Sequence, residues 1–503
     1  MNIPNRVNAS AAGVPKSSEK IPFPIALIGS LVLILFLLGL AAPYVAGQRP
    51  LDEEAAKKVD SFLSQFDKKD MPGCGVGVIR DGKLVYKRGF GMANLDFDIP
   101  NSPTTVFNLA SASKPFTAAS IVLLSQQGKL SLDDDIRKYV PEIPSYGDTI
   151  SIRQLLHHTS GIREYQALIF FGGISPDNAL SDKMVLDMLA RQKNLSFKPG
   201  TKHQYSNSNY HLLGIIVRRV SGKSLRAFAE ENIFKPLGMK NTRFFDNRTD
   251  IVKNRASGYL VGQNGRVRAR ASLFDLVGGG GVLTTVEDLA LWLQNFYEPK
   301  VGGKEMISLM TTPGTVTSGE KMDYGFGVWR QEYRGLTLIK HSGNMSGFRA
   351  QLVFYPEPKF SAIALCNNSA IFPRVIVEKL ADIYLEGQLK PAPLEQKPAD
   401  NAPQTAVKPF TLPADKVAEY SGTYHSDEFA ADWTITREGN KFRFKMGDFE
   451  APLTPAAPDV FKTGNYDEIT FRFTRDGKGG VNGFIFDSDL DEREIKGVIF
   501  TRK

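Results

Sequence analysis

Residues 107–127 read FNLASASKPFTAASIVLLSQQ, and this stretch decides how the rest of the chain is interpreted. From Pro115 onward it is strongly apolar and predicts a buried helix, and the first turn of a helix tolerates proline. Ser111 and Lys114 stand at the beginning of this run, three residues apart, so a helical turn brings their side chains to one face. The lysine amine can then reach the serine hydroxyl and take its proton. The stretch therefore predicts a serine nucleophile, Ser111, with Lys114 as its base.

The same Ser-x-x-Lys spacing occurs twice more, at Ser17/Lys20 and at Ser318/Lys321. The first pair lies in a basic leader, and the last lies in a Gly/Thr-rich loop with no helical pattern after it. Only the middle pair stands at the beginning of a predicted helix, where the helix dipole is positive and a buried amine loses its proton more readily than in water. The context therefore selects the pair of residues 111 and 114.

A tyrosine and an asparagine in one loop form a second candidate group. Tyr205 and Asn207 stand before a helix predicted over residues 210–220. The phenol could move protons beside Lys114, and the amide could hold a peptide oxygen of the substrate. Alone, the tripeptide is more typical of a turn whose Ser206 or Asn207 caps a helix.

A third candidate group, His341-Ser342-Gly343, ends an apolar strand. The glycine lets a substrate approach the strand closely, and the backbone N–H groups beyond it can polarise a carbonyl. Alone, this tripeptide is more typical of a turn at an edge strand.

Composition restricts the class of protein. The 503 residues are 42% hydrophobic and 23% charged, enough to bury a large core in two or more globular units. The net charge of +8 is spread along the chain, so a nucleic-acid partner is not expected. Cys74 and Cys366 are the only cysteines, which excludes a disulfide framework and a Cys-rich metal site. Two buried thiols are expected, with one disulfide between them as the alternative.

Residues 1–47 are interpreted as an export leader rather than as part of the fold. A basic segment precedes an uncharged, mostly apolar run over residues 25–42. The run is longer than a signal-peptide core of about 7–15 residues and slightly shorter than the roughly 20 residues of a spanning helix. Cleavage before Gln48 and retention as an inner-membrane anchor therefore both stay open. In either case we expect the remaining chain in the periplasm or another extracytoplasmic space.

Residues 51–388 have the pattern of one mixed domain. A helix from Leu51 precedes two strands, residues 75–79 and 84–86, that flank the tight-turn pair Asp81-Gly82. Helical patterns then dominate residues 115–298. Apolar runs follow at residues 336–339, 351–354 and 362–365, before a helix over residues 375–385. The order predicts a sheet with strands from both ends of the domain and an all-helical insertion between them.

The last part of the chain has a different composition. Residues 389–412 are rich in Pro, Ala, Gln and Lys and predict an extended linker. Residues 413–503 contain short alternating runs separated by turn residues, at 433–435, 442–444, 469–473 and 484–486. They predict a small antiparallel barrel or sandwich with no catalytic residues.

Together, and in this order, the three groups resemble the penicillin-recognising serine hydrolases, near class C β-lactamases, D-alanyl-D-alanine carboxypeptidases, D-aminopeptidases and related esterases. The resemblance covers about residues 52–388 and includes Leu155–Gly161, Gly278–Thr285 and Tyr324–Gly327. It implies a β-lactamase/transpeptidase-like α/β (α+β) fold, in which an antiparallel sheet is flanked by helices and an all-helical subdomain. The C-terminal strands resemble the lipocalin-like barrel appended to some D-peptide hydrolases.

The resemblance also implies a division of roles. Ser111 would accept the acyl group, Lys114 and Tyr205 would carry protons, and the backbone N–H groups of Ser111 and Asn344 would form the oxyanion hole. The residues expected to bind substrate are Asn207, His341, Gly343 and Asn344. The glycine run at 278–281 would be structural, and His157 and His158 would fix a loop. No metal or other cofactor is expected.

Position 341 separates two expectations about the substrate. Efficient β-lactamases that resemble this chain carry lysine there, a permanent cation for a substrate carboxylate, whereas His341 is mostly neutral near pH 7. The substitution favours a peptidase or esterase that acts on short peptides, amides or esters, including those with D-residues. The alternative is a β-lactamase, or a penicillin-binding or sensing protein with slow turnover. The partner in each case is a small molecule or short peptide.

Overall fold

The computed structural model describes residues 48–175, 178–271, 275–391, 410–413, 415–439, 441–463, 466–490 and 494–503. The predicted leader and residues 392–409 of the predicted linker lie outside the described residues. Residues from Ala55 to Lys503 form one compact unit. Within it we distinguish a sheet-and-helix part, up to residue 391, from a C-terminal barrel. In the part of the chain described, no helix combines the length and apolarity needed to cross a membrane.

The sheet-and-helix part is built on one six-stranded antiparallel sheet. The strands of the sheet-and-helix part include short ones that lie outside this sheet. In chain order they are β1 Cys74–Arg80, β2 Lys83–Phe90, β3 Met92–Asn94, β4 Ile99–Pro100, β5 Phe107–Asn108, β6 Arg243–Phe244, β7 Tyr259–Val261, β8 Val267–Ala269, β9 Val282–Thr284, β10 Trp329–Tyr333, β11 Leu336–Met345, β12 Phe348–Tyr355 and β13 Phe360–Cys366. The sheet has the order β10-β11-β12-β13-β1-β2. Strands from both ends of this part of the chain therefore pair, as predicted. Asp81 and Gly82 join β1 to β2 with positive φ values of 49° and 74°, the geometry of a tight hairpin turn.

Helices cover the sheet and fill the insertion. They are α1 Gln48–Leu63, α2 Lys114–Gln126, α3 Ile152–Leu156, α4 Tyr165–Phe171, α5 Asp182–Ala190, α6 Asn207–Ser221, α7 Leu225–Ala229, α8 Lys235–Leu237, α9 Val286–Tyr297, α10 Gly303–Thr311 and α11 Pro373–Tyr384. Almost every residue of α2 is buried, so this helix lies at the centre of the core, as its apolar sequence predicts.

The insertion between the two groups of sheet strands is mainly helical, and it also contains short strands. β5, β9 and β6 form a small sheet, and β7 pairs with β8. Strands of two or three residues are too short to show an alternation of apolar and polar residues, so the sequence pattern did not indicate them. The small sheet matters for function, because β5 delivers the chain to Ser111.

Cys74 and Cys366 form a disulfide, which corrects the expectation of two buried thiols. The two residues are directly opposite each other on the paired strands β1 and β13, with their Cα atoms 4.0 Å apart. The sequence could not decide this, because the two cysteines are 292 positions apart and come close only when the sheet forms.

The C-terminal strands form a closed antiparallel barrel, which confirms the predicted all-β barrel. They are β14 Gly422–Ser426, β15 Ala431–Glu438, β16 Lys441–Met446, β17 Phe449–Ala457, β18 Val460–Thr463, β19 Tyr466–Arg475, β20 Val481–Ser488 and β21 Ile495–Arg502. Pairing of β14 with β21 closes the ring. Aromatic side chains, among them Trp433, Phe471 and Phe484, are fully buried and fill the interior.

The barrel packs against the helical insertion through buried contacts. Phe171, at the end of α4, lies 4.9 Å from Phe486 between ring centroids and accepts a hydrogen bond at its carbonyl from the Trp433 indole, 3.0 Å away. Arg163 and Glu428 form an ion pair of 2.5 Å in which both side chains are buried. The described barrel residues and the insertion therefore share one core.

Candidate active site

Ser111 lies in a tight turn immediately before α2. β5 pairs with β9, and the Asn108 side chain accepts a hydrogen bond from the Ala110 backbone N–H at 2.7 Å. Ala110 has a positive φ of 48°, and a 3₁₀ turn over Ala110–Ser113 follows it. Residues three apart lie above one another in a 3₁₀ turn, so the predicted pairing of Ser111 with Lys114 is retained although the serine precedes the α-helix. Ser111 remains partly exposed, which leaves its hydroxyl accessible.

Lys114 is completely buried, and polar oxygens surround its amine. Nζ lies 3.2 Å from Ser111 Oγ and donates to Asn207 Oδ1 and to the Gly279 carbonyl, each at 2.7 Å. A neutral amine has two hydrogens and one lone pair. The two carbonyl oxygens can take both hydrogens, and the lone pair then faces the Ser111 hydroxyl. This arrangement suits a general base.

Tyr205 lies on the other side of the lysine. Lys114 Nζ is 4.6 Å from the centroid of the Tyr205 ring, and the ring of His341 is 6.3 Å from it between centroids. A phenol in this position can exchange a proton with the site around Lys114. The structure thus brings the predicted proton carriers to the same place as the nucleophile.

Glu164 is a buried carboxylate that the sequence interpretation did not include. It accepts hydrogen bonds from the Asn207 and Ser208 backbone N–H groups and, at 3.2 Å, from Asn207 Nδ2. Burial raises the pKa of Glu164, and hydrogen bonds from the Gln166 backbone and from Asn207 oppose that shift. The carboxylate therefore holds the beginning of α6 and orients the amide that meets Lys114. A lone acid 43 residues before Asn207 in sequence carries no signal of this contact.

Asn207, which we expect to bind substrate, also makes contacts within the protein. Its Oδ1 accepts from Lys114, and its Nδ2 donates to Glu164. The amide is thus engaged on both sides and connects a buried acid with the lysine. Gly279, expected to be only structural, also meets the lysine through its carbonyl oxygen.

His158 fixes the loop that carries Tyr205, as the sequence predicted. It is fully buried, has a positive φ of 59°, and its Nδ1 faces the Ser206 backbone N–H and the Asn209 side-chain amide, each at 3.2 Å. Burial, together with the positive charge of Lys114, holds the pKa of His158 well below its usual value. The imidazole is therefore a neutral acceptor beneath the loop.

β11 brings its last residues to the edge of the site. A side chain at Gly343 would meet the Leu109 carbonyl oxygen at 1.9 Å, so only glycine lets the strand pack on the Ser111 turn. The described pairing of β10 with β11 ends where Trp329 faces Lys340. From His341 onward, that side of β11 has backbone groups directed to the cleft, where an extended substrate could pair with them.

His341 is buried and neutral. Its Nδ1 lies 2.6 Å from the Ser342 carbonyl and its Nε2 lies 3.2 Å from the Tyr324 hydroxyl. Burial, and secondarily the charge of Lys114, lower the pKa of His341 to about 3. This buried environment agrees with the expectation that residue 341 carries no permanent positive charge.

One cleft of about 880 Å³ joins these groups. Six of the seven predicted site residues line it, and Lys114 lies beneath Ser111. The six are Ser111, Tyr205, Asn207, His341, Gly343 and Asn344. Among the described residues, no cluster of three or more His, Cys, Asp or Glu side chains could hold a metal ion. The roles of the seven residues, and the expected lack of a cofactor, remain predictions.

Comparisons with known proteins agree with this geometry. The beta-lactamase family model matches residues 59–381. A penicillin-binding protein of Bacillus subtilis is 28% identical over 464 residues, which are 88% of this chain and 99% of that protein. A D-aminopeptidase of Gluconobacter oxydans is 26% identical over 298 residues, 59% of this chain and 56% of the enzyme. The structure of an octameric penicillin-binding protein homologue from Pyrococcus abyssi superposes with a TM-score of 0.60, at 25% identity, over 88% of this chain and 99% of that one.

Proposed function

The chain belongs to the beta-lactamase family, and we propose that it is an exported peptidase or esterase that acts on short peptides, amides or esters through an acyl-enzyme on Ser111. Its class, a serine hydrolase, follows from the family. The observation that carries the proposal is the environment of Lys114, whose Nζ is 3.2 Å from Ser111 Oγ while two carbonyl oxygens accept its hydrogens.

In the acylation step, Ser111 Oγ attacks the substrate carbonyl carbon and its proton passes to the Lys114 amine. The Ser111 and Asn344 backbone N–H groups would stabilise the oxyanion that forms. The bond from the carbonyl carbon to the leaving nitrogen or oxygen then breaks, and the proton reaches that atom through Tyr205. The acyl group remains as an ester of Ser111.

In the deacylation step, a water molecule attacks the ester carbonyl and gives its proton to the same base system. The carbon–oxygen bond to Ser111 breaks, the proton returns to Oγ, and the carboxylic acid product leaves. Each cycle consumes one water and restores the enzyme, so no further co-reactant is required.

Two features support the choice of substrate class. The buried, neutral His341 offers no cation where efficient β-lactamases have lysine, which favours peptides, amides and esters over β-lactams. A relative of similar sequence is a D-aminopeptidase, which supports including substrates with D-residues. Similarity to a penicillin-binding protein over nearly its full length keeps the alternative of slow turnover after acylation.

Export is supported by the disulfide and by the leader sequence. Disulfides persist in oxidising compartments and are rare in the cytosol. The pair Cys74–Cys366 therefore agrees with an extracytoplasmic location for the part of the chain that carries Ser111. We keep both fates of residues 25–42, cleavage and anchoring, within the proposal.

The experiment measures steady-state hydrolysis of a p-nitrophenyl ester, nitrocefin and a D-amino-acid anilide by wild type and Ser111→Ala. The proposal predicts turnover of the ester or anilide that Ser111→Ala abolishes. Ser318→Ala is the matched control, because Ser318 has the same Ser-x-x-Lys spacing but is exposed in a loop. Turnover unchanged in Ser111→Ala would overturn the proposal. A single-turnover burst without release would favour a sensing protein.

A further inference from the structure

Two neighbouring residues of one loop, Arg163 and Glu164, contact opposite parts of the molecule. Arg163 forms the buried ion pair with Glu428 of the barrel, whereas Glu164 accepts a hydrogen bond from the Asn207 backbone N–H in the active site. One peptide bond joins the two residues, so a displacement of the first displaces the second as well. The loop therefore links the barrel to the group that holds the catalytic lysine.

On the barrel side, several hydrogen bonds hold the Arg163 guanidinium. Nη1 donates to Glu428 at 2.5 Å and to the Gln192 side-chain oxygen at 2.7 Å, and Nη2 donates to the Lys496 carbonyl. The Glu428 carboxylate also accepts from the Lys193 backbone N–H at 2.9 Å. Burial lowers the pKa of Arg163, and the charge of Glu428 opposes that shift. Partners from the barrel and from the insertion thus fix the guanidinium together.

On the site side, the same loop is bound to the beginning of α6. Ser208 Oγ donates to the carbonyl of the residue before Glu164 at 2.7 Å and accepts from the backbone N–H of the residue after it at 2.8 Å. Between these contacts, the Glu164 carboxylate accepts from Asn207 Nδ2, and Asn207 Oδ1 accepts from Lys114 Nζ at 2.7 Å. A displacement of the loop therefore moves the Asn207 amide relative to the lysine.

Stability alone does not require a buried ion pair at this place. Removal of two charges from water is costly, and apolar side chains of similar volume often give equal stability. Hydrogen bonds depend on angle as well as distance, unlike apolar contacts, so they fix one position of the loop. The pair Arg163–Glu428 therefore has the chemistry of a positioning contact.

We propose that Glu428, a residue of the barrel, is a positioning residue for the catalytic base. Through Arg163 it fixes the loop whose Glu164 orients Asn207. The Asn207 side-chain oxygen in turn accepts one hydrogen of the Lys114 amine. The barrel thus acts on catalysis without a group that touches the substrate. The inference rests on the proposed acyl-enzyme function and makes kcat depend on a residue outside the sheet-and-helix part.

The test measures kcat and KM for the p-nitrophenyl ester in wild type and Glu428→Gln, per folded protein as determined by near-ultraviolet circular dichroism. Glutamine keeps the size of the side chain and removes its charge. We expect kcat to fall about tenfold or more, because a small misplacement of a catalytic group is costly, while KM stays within about threefold. Asp427→Asn is the control and should keep the wild-type kcat, because Asp427 pairs with Lys193 in solvent.

A neutral pair, Arg163→Met with Glu428→Leu, provides the test if the single variant does not fold. Replacement of both charges by apolar side chains is often neutral for stability, and kcat should still be about tenfold lower or more. In a Glu164→Gln background, the neutral pair should lower kcat less than about threefold, because the connection to Asn207 is already broken. A merely structural role would give the same factor in both backgrounds.

A kcat within about twofold of wild type, in folded Glu428→Gln or in the neutral pair, would overturn the inference. An equal loss of kcat in the two backgrounds would overturn it as well. Failure of the proposed function is distinguishable, because turnover of the ester would then be unchanged in Ser111→Ala.

Discussion

Lys114 Nζ lies 3.2 Å from Ser111 Oγ in a buried site, and carbonyl oxygens of Asn207 and Gly279 accept hydrogen bonds from it. Lys114→Met keeps the length of the side chain and removes the base. We expect kcat for the p-nitrophenyl ester to fall by roughly 10²–10⁴, the usual contribution of a general base. Lys321→Met, in an exposed Ser-x-x-Lys pair, should retain full activity. A loss below threefold in folded Lys114→Met would contradict the assignment of the base.

Glu164 acts on the lysine through Asn207 and is a positioning residue. Its oxygens face four N–H donors, and an ionised carboxylate, which only accepts, suits all four. In Glu164→Gln, an amide N–H would oppose one of those donors, so we expect kcat to fall about tenfold or more. Loss of the negative charge should also move the acidic limb of the kcat/KM profile to lower pH. If Glu164 were merely structural, the profile of the folded fraction would not move.

The buried pair Arg163–Glu428 should stabilise the packing of the barrel on the insertion. Breaking a buried ion pair leaves an uncompensated charge and costs about 3–5 kcal/mol. Glu428→Gln should therefore lower the free energy of unfolding, measured by guanidinium denaturation, by about that amount. Asp427→Asn is the control, since the adjacent pair Lys193–Asp427 is exposed and 3.3 Å long. Similar losses in the two variants would refute this role of the ion pair.

His157 makes stability depend on pH. Burial lowers the pKa of His157 to about 4 in the folded protein, against 6.5 for a free histidine. Below pH 6.5 the unfolded chain then binds a proton at this histidine that the folded protein does not bind. The contribution of the neutral imidazole to stability is therefore fully present above pH 6.5 and is lost as pH falls toward 4. The loss is at most about 1.4 kcal/mol per pH unit for one group. His157→Gln should flatten the fall of the urea midpoint between pH 7 and pH 4, and parallel curves would contradict the shift.

The disulfide between Cys74 and Cys366 determines how many reactive thiols the protein should have. Unfolded without reductant, the wild-type protein should show no reactive thiol, and Cys74→Ser should show one. Removal of the bond should also cost about 2–4 kcal/mol of stability. Two thiols in the unreduced wild type would restore the expectation of two buried cysteines.

Local patterns predicted the features that depend on neighbouring residues. Asp81-Gly82 predicted the hairpin, and the apolar run after Pro115 predicted the central helix. The alternation of apolar and polar residues over about the last 90 residues predicted the barrel. The proximity of Ser111 and Lys114 could also be predicted, because residues three apart on one helical turn are neighbours whatever the rest of the fold is.

Contacts across long stretches of sequence could not be predicted in this way. Glu164 reaches Asn207, Arg163 reaches Glu428 and Cys74 reaches Cys366 only after the sheet, the insertion and the barrel have packed. A single buried acid or arginine looks like a surface charge in sequence. The contact of the Gly279 carbonyl with Lys114 could not be predicted either, because every residue has a backbone carbonyl and the residue type does not indicate which one accepts the hydrogen bond.

Mass spectrometry of the protein quenched in acid during turnover of the p-nitrophenyl ester tests most directly whether Ser111 carries the acyl group. We predict a mass increase equal to the acyl group minus one hydrogen, located by digestion on the peptide that contains Ser111 and absent in Ser111→Ala. An acyl group on another residue, or continued turnover by Ser111→Ala at the wild-type rate, would show that Ser111 is not the nucleophile.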